Sequence, residues 1–133
     1  MNGQWEGQSK HITAKKLLNA ALDSLNGQEN LEVALRVYGH SKSYLSGQEC
    51  NDTKLEVPFS KNNFQDIRDK LNEIRPKGTT PIALSLERSK DDFPHCKNCR
   101  NIIILITDGI EECDGDPCAV SLALQKNNIV LKP

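Results

Sequence analysis

Hydrophobic positions recur along this chain in two different periods. Ala14, Leu17, Leu18, Ala21, Leu22 and Leu25 fall three or four residues apart, the stripe of one helix face, and Gly27 stands where such a helix would stop. A first helix is therefore expected over 8–25. In LEVALRVY, 31–38, Leu31, Val33, Leu35 and Val37 alternate with more polar positions, which predicts a strand. LEVPF, 55–59, predicts a short edge strand, because Pro58 has no N–H to donate to a ladder. Phe64, Ile67, Leu71 and Ile74 form a second amphipathic helix that Pro76 and Gly78 would end. Thr80-Pro81 and Asp116-Pro117 each set a capping residue before a proline, so further helices are expected to start there. The remaining strands are expected over 101–107 and 128–132.

Helices and strands in alternation imply an α/β fold. The run IIILI, 102–106, is apolar at every position, the pattern of a central parallel strand covered on both faces. A Rossmann-like, doubly wound, mostly parallel sheet with helices on both faces is expected, in one domain over 1–133. The order has one irregularity. Such sheets feed each helix from a preceding strand, yet only about seven mostly polar residues precede the first helix, and the chain stops at IVLKP in the middle of a strand pattern. Both ends are therefore expected to be cut and the domain to be partial.

Open α/β sheets bind ligands at the carboxyl ends of their strands, which is where NIIILITDGIEE, 101–112, delivers Asp108. An Asp-Gly pair is also good turn chemistry, and Thr80 is also a good helix cap. Together, however, a hydroxyl and a carboxylate at one sheet rim are the hard oxygen ligands that Mg²⁺ accepts beside several waters. Charge narrows the partner classes, since 17 basic and 18 acidic side chains, spread along the chain, sum to −1 and leave no footprint for nucleic acid or an anionic membrane. No apolar run reaches the ~18 residues of a membrane span, and MNGQWEGQSK lacks the apolar core of a signal peptide. Membrane insertion by this segment is not expected.

Three stretches carry a family resemblance. KGTTPIALSLE, 77–87, is a glycine-threonine loop leading into a helix; NIIILITDGIEE is an apolar strand ending in an aspartate; and MNGQWEGQSKHITAKKLLNAALDSL, 1–25, is a polar loop that enters a helix after a methionine. They resemble the von Willebrand factor type A domain in the form that bears a metal-ion-dependent adhesion site. The resemblance implies that Thr80, with Thr79 one residue away, matches the family's threonine ligand and that Asp108 matches its third-loop aspartate. It implies a divalent cation, Mg²⁺ first with Mn²⁺ or Ca²⁺ as alternatives, whose open coordination position a carboxylate from a protein or other ligand completes. The function implied is adhesion or binding without catalysis. The family's Asp-x-Ser-x-Ser segment and the strand that carries it have no counterpart here, so Met1 would be an internal methionine and metal binding by this chain would be impaired. In the family that strand lies between those matched by 31–38 and 101–107, so its absence would leave two facing edges unpaired.

Five cysteines, Cys50, Cys96, Cys99, Cys113 and Cys118, are many for a domain of this size and point to an oxidising compartment, extracellular, cell-surface or periplasmic. Cys113 and Cys118 could close a small ring, with Cys50 as the alternative partner of Cys113. Cys96 and Cys99 precede the apolar strand while Cys113 and Cys118 follow it, and seven strand residues of ~3.3 Å separate the pairs by about 20 Å, too far for one zinc ion. A disulfide or a pair of ordinary surface thiols is expected at Cys96 and Cys99; a thiol-redox role is the rival reading, but such a motif should open a helix after a strand, and this one follows DDFP. The other rival is a metal-dependent phosphatase. It would need a second aspartate two residues after Asp108, where Ile110 stands, and neither a Gly-x-Ser-x-Gly elbow nor a phosphate-cradling glycine loop is present. Glu111, Glu112, Asp114 and Asp116 do not match the spacing of a Ca²⁺ loop and are expected to form a solvated, partner-facing loop. His11, His40 and His95 are scattered, and Trp5 is expected to anchor a loop.

Overall fold

A computed structural model describes residues 4–5, 8–43, 45 and 47–133, and the side chains of 9–43, 45 and 47–133. Met1 and the side chain of Trp5, on which two expectations fell, lie outside it. The elements in chain order are β1 (Gln4–Trp5), β2 (Gln8–Ser9), α1 (Lys10–Leu25), β3 (Val33–Tyr38), β4 (Thr53–Ser60), α2 (Phe64–Glu73), α3 (Ile82–Asp92), β5 (Asn101–Ile104), α4 (Pro117–Lys126) and β6 (Ile129–Lys132). β1 and β2 pair as a minimal antiparallel hairpin. β3 pairs with β4 antiparallel, and β5 with β6 parallel. The α/β class is as expected, with a sheet that is incomplete.

Period-two alternation on β3 divides the core. Val33 and Leu35 face a cluster of Leu22 from α1, Val57 from β4 and Ile67 and Leu71 from α2. Tyr38 faces the second cluster, Ile82 and Leu86 from α3, Leu124 from α4 and Ile129 from β6. On that second side Arg36 makes a two-pronged ion pair to Asp92 at the end of α3, at 2.6 and 2.7 Å, and Phe59 packs on Phe93 with ring centroids 5.0 Å apart. Helices thus lie on both faces of the β3–β4 pair.

β5 departs from expectation in length and in burial. Its ladder to β6 closes with Leu105 N–H donating to the Lys132 carbonyl at 2.8 Å. Beyond that point 105–107 have no β6 residue opposite them, so the strand is shorter than 101–107. Ile103 and Leu105 pack into the second cluster, whereas Ile102 and Ile104 remain 43% and 55% exposed. The run is apolar on both faces, yet among the described residues only one face is covered.

β3 and β5 belong to separate two-stranded sheets. Between them lies a cleft of about 380 Å³ lined by Leu35 and Val37 of β3, by Ile104 and Ile106, and by Ala14 and Leu18 of α1. This is the place where the resemblance puts the strand that has no counterpart in this chain.

Candidate metal and partner site

The mouth of the cleft is formed by Thr80, Asp108, Gly109 and Glu112. Two glycines place the threonine. Gly39, with φ at +63°, offers its carbonyl to the Lys77 and Gly78 amides, both at 2.9 Å, and a Cβ at Gly39 would lie 2.3 Å from the Thr79 carbonyl oxygen. Only a residue without a side chain lets these two loops cross so closely. Thr79 is 2% exposed, and its hydroxyl donates to the Glu49 carbonyl at 2.7 Å. That turns Thr79 inward and puts Thr80 at the rim, so of the two adjacent threonines Thr80 is the one available to a ligand.

Thr80 is not a helix cap. Pro81 occupies the N-cap of α3 and makes no side-chain hydrogen bond, and the amide of Ala83 is taken instead by Glu111 Oε2 at 2.7 Å. Glu111 accepts from the Cys113 amide as well, at 2.9 Å through Oε1, so one carboxylate ties the 108–116 loop to the start of α3. The other expected cap is present, Asp116 accepting from the Ala119 amide at 2.9 Å. Glu112 Oε2 accepts from the Thr80 hydroxyl at 2.6 Å and from the Thr80 amide at 3.0 Å. Glu111 and Glu112 are therefore ligands of protein groups, where a solvated loop was expected. Their partners lie 28 and 32 residues away, which no local pattern reveals.

Asp108 follows β5 on the same rim. A Cβ built on Gly109 would sit 3.2 Å from Thr80 Cγ2 and 3.6 Å from its Oγ1, so the threonine packs against the residue next to Asp108. The turn there is held by Thr107, whose Oγ1 accepts from the Gly109 amide at 3.3 Å. Asp108 Oδ2 instead pairs with Lys10 Nζ, from the first turn of α1, at 3.3 Å. Burial pushes the Tyr38 phenol up, the nearby carboxylates of Asp108 and Glu111 add to the rise, and the neighbouring Thr107 hydroxyl opposes it. At neutral pH Tyr38 is a neutral wall of the cleft.

Thr80 and Asp108 fit a hard divalent cation in kind, as hydroxyl and carboxylate oxygens. In number they fall short. Among the described residues no group of three or more His, Cys, Asp or Glu side chains could hold an ion.

The 108–116 loop is fixed covalently by a disulfide between Cys50 and Cys113. This corrects the favoured Cys113–Cys118 ring. Cys118 lies in the first turn of α4 and is free and exposed, while Glu111 draws Cys113 toward α3. A second disulfide joins Cys96 and Cys99, just before the amino end of β5 and so away from Asp108, which follows its carboxyl end. A bonded pair offers no thiolate to zinc.

The family model described as von Willebrand factor type A domain matches residues 1–111. An uncharacterised protein of Bacillus subtilis (strain 168), YwmC, is 33% identical over 130 residues, covering 95% of this chain and 56% of its own length. A second from the same organism, YwmD, is 32% identical over 127 residues, with 92% and 56% covered. The chain thus spans little more than half the length of these relatives. Among solved structures, an aerotolerance-related membrane protein from Bacteroides fragilis superposes with a TM-score of 0.73 at 21% identity, over 92% of this chain and 55% of that one. The hypothetical protein BatB from Bacteroides thetaiotaomicron gives 0.68 at 20% identity, over 92% and 54%. At these identities the structures establish the fold alone, but the family match runs through both rim loops as far as Glu111, and the chain belongs to the von Willebrand factor type A domain family.

Proposed function

We propose that this chain is a binding module without catalytic activity that recognises a protein or other ligand through a divalent cation, Mg²⁺ first, at the rim formed by Thr80 and Asp108. One observation carries the reading: the fold takes Thr80 out of helix capping and packs it against the residue that follows Asp108. Those two side chains would hold the ion, which when bound supplies a Lewis-acidic position for a partner's carboxylate. Against a hydrolase stands the use of both nearby glutamates. Glu111 is engaged by two amides and Glu112 by Thr80, so neither is placed to serve as the second acid of a phosphatase pair. The two disulfides support an oxidising compartment, such as the cell surface or periplasm. No helix among the described residues is long and apolar enough to cross a membrane.

The test is Mn²⁺ titration followed by water-proton relaxation, with Mg²⁺ as competitor. With two protein oxygens the expected affinity is weak, on the order of 1 mM, the range of the weakest protein cation sites. Asp108→Ala should abolish it, and Thr80→Ala, which leaves the carboxylate in place, should weaken it. Binding that both substitutions leave intact would place the ion elsewhere and sink the site.

A further inference from the structure

We propose that Glu112 is a positioning residue for the cation site, acting through Thr80; this rests on the reading of Thr80 and Asp108 just given. A threonine hydroxyl has one hydrogen and two lone pairs. A metal ligand must present a lone pair, so the hydrogen has to be directed elsewhere. Glu112 Oε2 takes that hydrogen at 2.6 Å and the Thr80 amide at 3.0 Å, while the Glu112 amide donates back to the Thr80 carbonyl at 3.3 Å. Side chain and main chain of one residue thus hold Thr80 at both ends, and with its hydrogen given to Glu112 the hydroxyl keeps both lone pairs for a ligand at the rim. The Ala83 amide at the start of α3 is satisfied by Glu111 and does not compete for those lone pairs.

The clasp is rigid for reasons that lie outside it. Gln48 Nε2 donates to the Glu112 carbonyl, and Cys113, the next residue, is bonded to Cys50 on the same loop as Gln48. Glu112 also adds a negative charge just behind the hydroxyl oxygen, which makes that oxygen a better donor to a cation. Outer partners of this kind commonly alter metal affinity by about 10- to 100-fold when removed.

The experiment uses Mn²⁺ alone as probe, on the whole chain, with Glu112→Ala and Glu112→Gln, and with each in a Thr80→Ala background. Glu112→Ala should weaken Mn²⁺ binding at least about tenfold. Glu112→Gln, which keeps an acceptor for Thr80 and loses the charge, should fall between it and the parent. Melting temperatures in EDTA show whether each variant is folded, and the Gln variant serves if the Ala variant is not. In the Thr80→Ala background, where residual binding is read at higher Mn²⁺, neither substitution should have a further effect. A Glu112→Ala variant that binds Mn²⁺ as the parent does, or more tightly, overturns the proposal, the tighter result making Glu112 a competitor for the ion. Effects of equal size with and without Thr80 also overturn it, since the action would then be charge alone. Binding that Asp108→Ala leaves unchanged would instead sink the site itself, so the two failures are told apart.

Discussion

Replacing Asp52 should both destabilise this domain and loosen Thr80, and the structure sets the size of the effect. Asp52 is 4% exposed and stands at the foot of β4. Its Oδ2 accepts from the Ser41 and Lys42 amides, each at 3.0 Å, and its Oδ1 from the Ser41 hydroxyl. The Asp52 carbonyl takes the Gly39 amide at 2.9 Å, and Gly39 in turn carries the 77–78 loop that leads to Thr80. Asp52→Ala strands two amides and a hydroxyl at ~1–3 kcal/mol each before water relieves part of the loss. A net cost of about 3–4 kcal/mol follows, or a melting temperature lower by about 10–14 °C for a chain of this length. Asp52→Asn keeps an acceptor and loses only the charge, so about 1 kcal/mol is expected. Burial by itself would raise the Asp52 pKa, but the Ser41 hydroxyl, the Lys42 and Ser41 amides and nearby His40 outweigh it and hold the carboxyl below its ordinary value. A depressed folded pKa contributes stability above the unfolded value of ~3.9, and that contribution is lost as pH falls through the folded one. Thermal melts by circular dichroism at pH 7 and pH 2.5 read both effects. A drop under 3 °C for Asp52→Ala, or an Asp52→Asn deficit as large at pH 2.5 as at pH 7, would refute the reasoning.

Two further outcomes follow from the site. Lys10→Ala should tighten Mn²⁺ binding by up to about fivefold, the factor represented by the ~1 kcal/mol of a solvent-accessible ion pair, because Lys10 now occupies Asp108; unchanged affinity would mean that the pair does not compete. Reducing the disulfides should cost about 4 kcal/mol through Cys50–Cys113, whose 63-residue separation sets the loop entropy released to the unfolded chain. Cys113→Ser should reproduce that loss without reductant, and a melting temperature insensitive to either change would argue against the pairing.

What could be read from the sequence was what local spacing encodes. The helical stripes of α1 and α2, the proline on edge strand β4 and the Asp116 cap each depend on residues within a turn or two of one another, and each stands where expected. That Thr80 and Asp108 would share a rim was legible for a different reason: both lie at the ends of elements in an α/β order, and the order itself says which ends come together. The clasp by Glu112, the cap by Glu111 and the Cys50–Cys113 bond depend on segments 28 to 63 residues apart in sequence. Glutamates after an Asp-Gly turn look solvated unless the amides they meet are known. The length of β5 was misjudged because Leu105, Ile106 and Thr107 keep the apolar or β-branched character of a strand, while pairing stops where β6 runs out.

The open cleft makes a prediction about the backbone. Along an antiparallel pair, successive residues of a strand direct their amides alternately toward the partner and away from it. β3 has β4 on one side and the cleft on the other, and β5 has β6 on one side and the same cleft on the other. Amide hydrogen exchange on the chain at micromolar concentration should therefore alternate along β5 and along 36–38 of β3, beyond the register shifts between Val33 and Arg36. Amides bonded to β4 or β6 should exchange roughly a hundredfold more slowly than their cleft-facing neighbours, the ratio given by ~3 kcal/mol in opening free energy. Two edges that have no partner strand among the described residues, set across an apolar slot, are also templates for another chain. As concentration is raised, the cleft-facing amides of β3 and β5 should slow together while those of the outer ladders stay as they were, with the apparent mass by light scattering rising in step. Uniform protection along β3 at the lowest concentration would mean that this edge is already paired in the monomer. Protection confined to β5 would mean that association uses the β5 edge alone and leaves β3 unpaired.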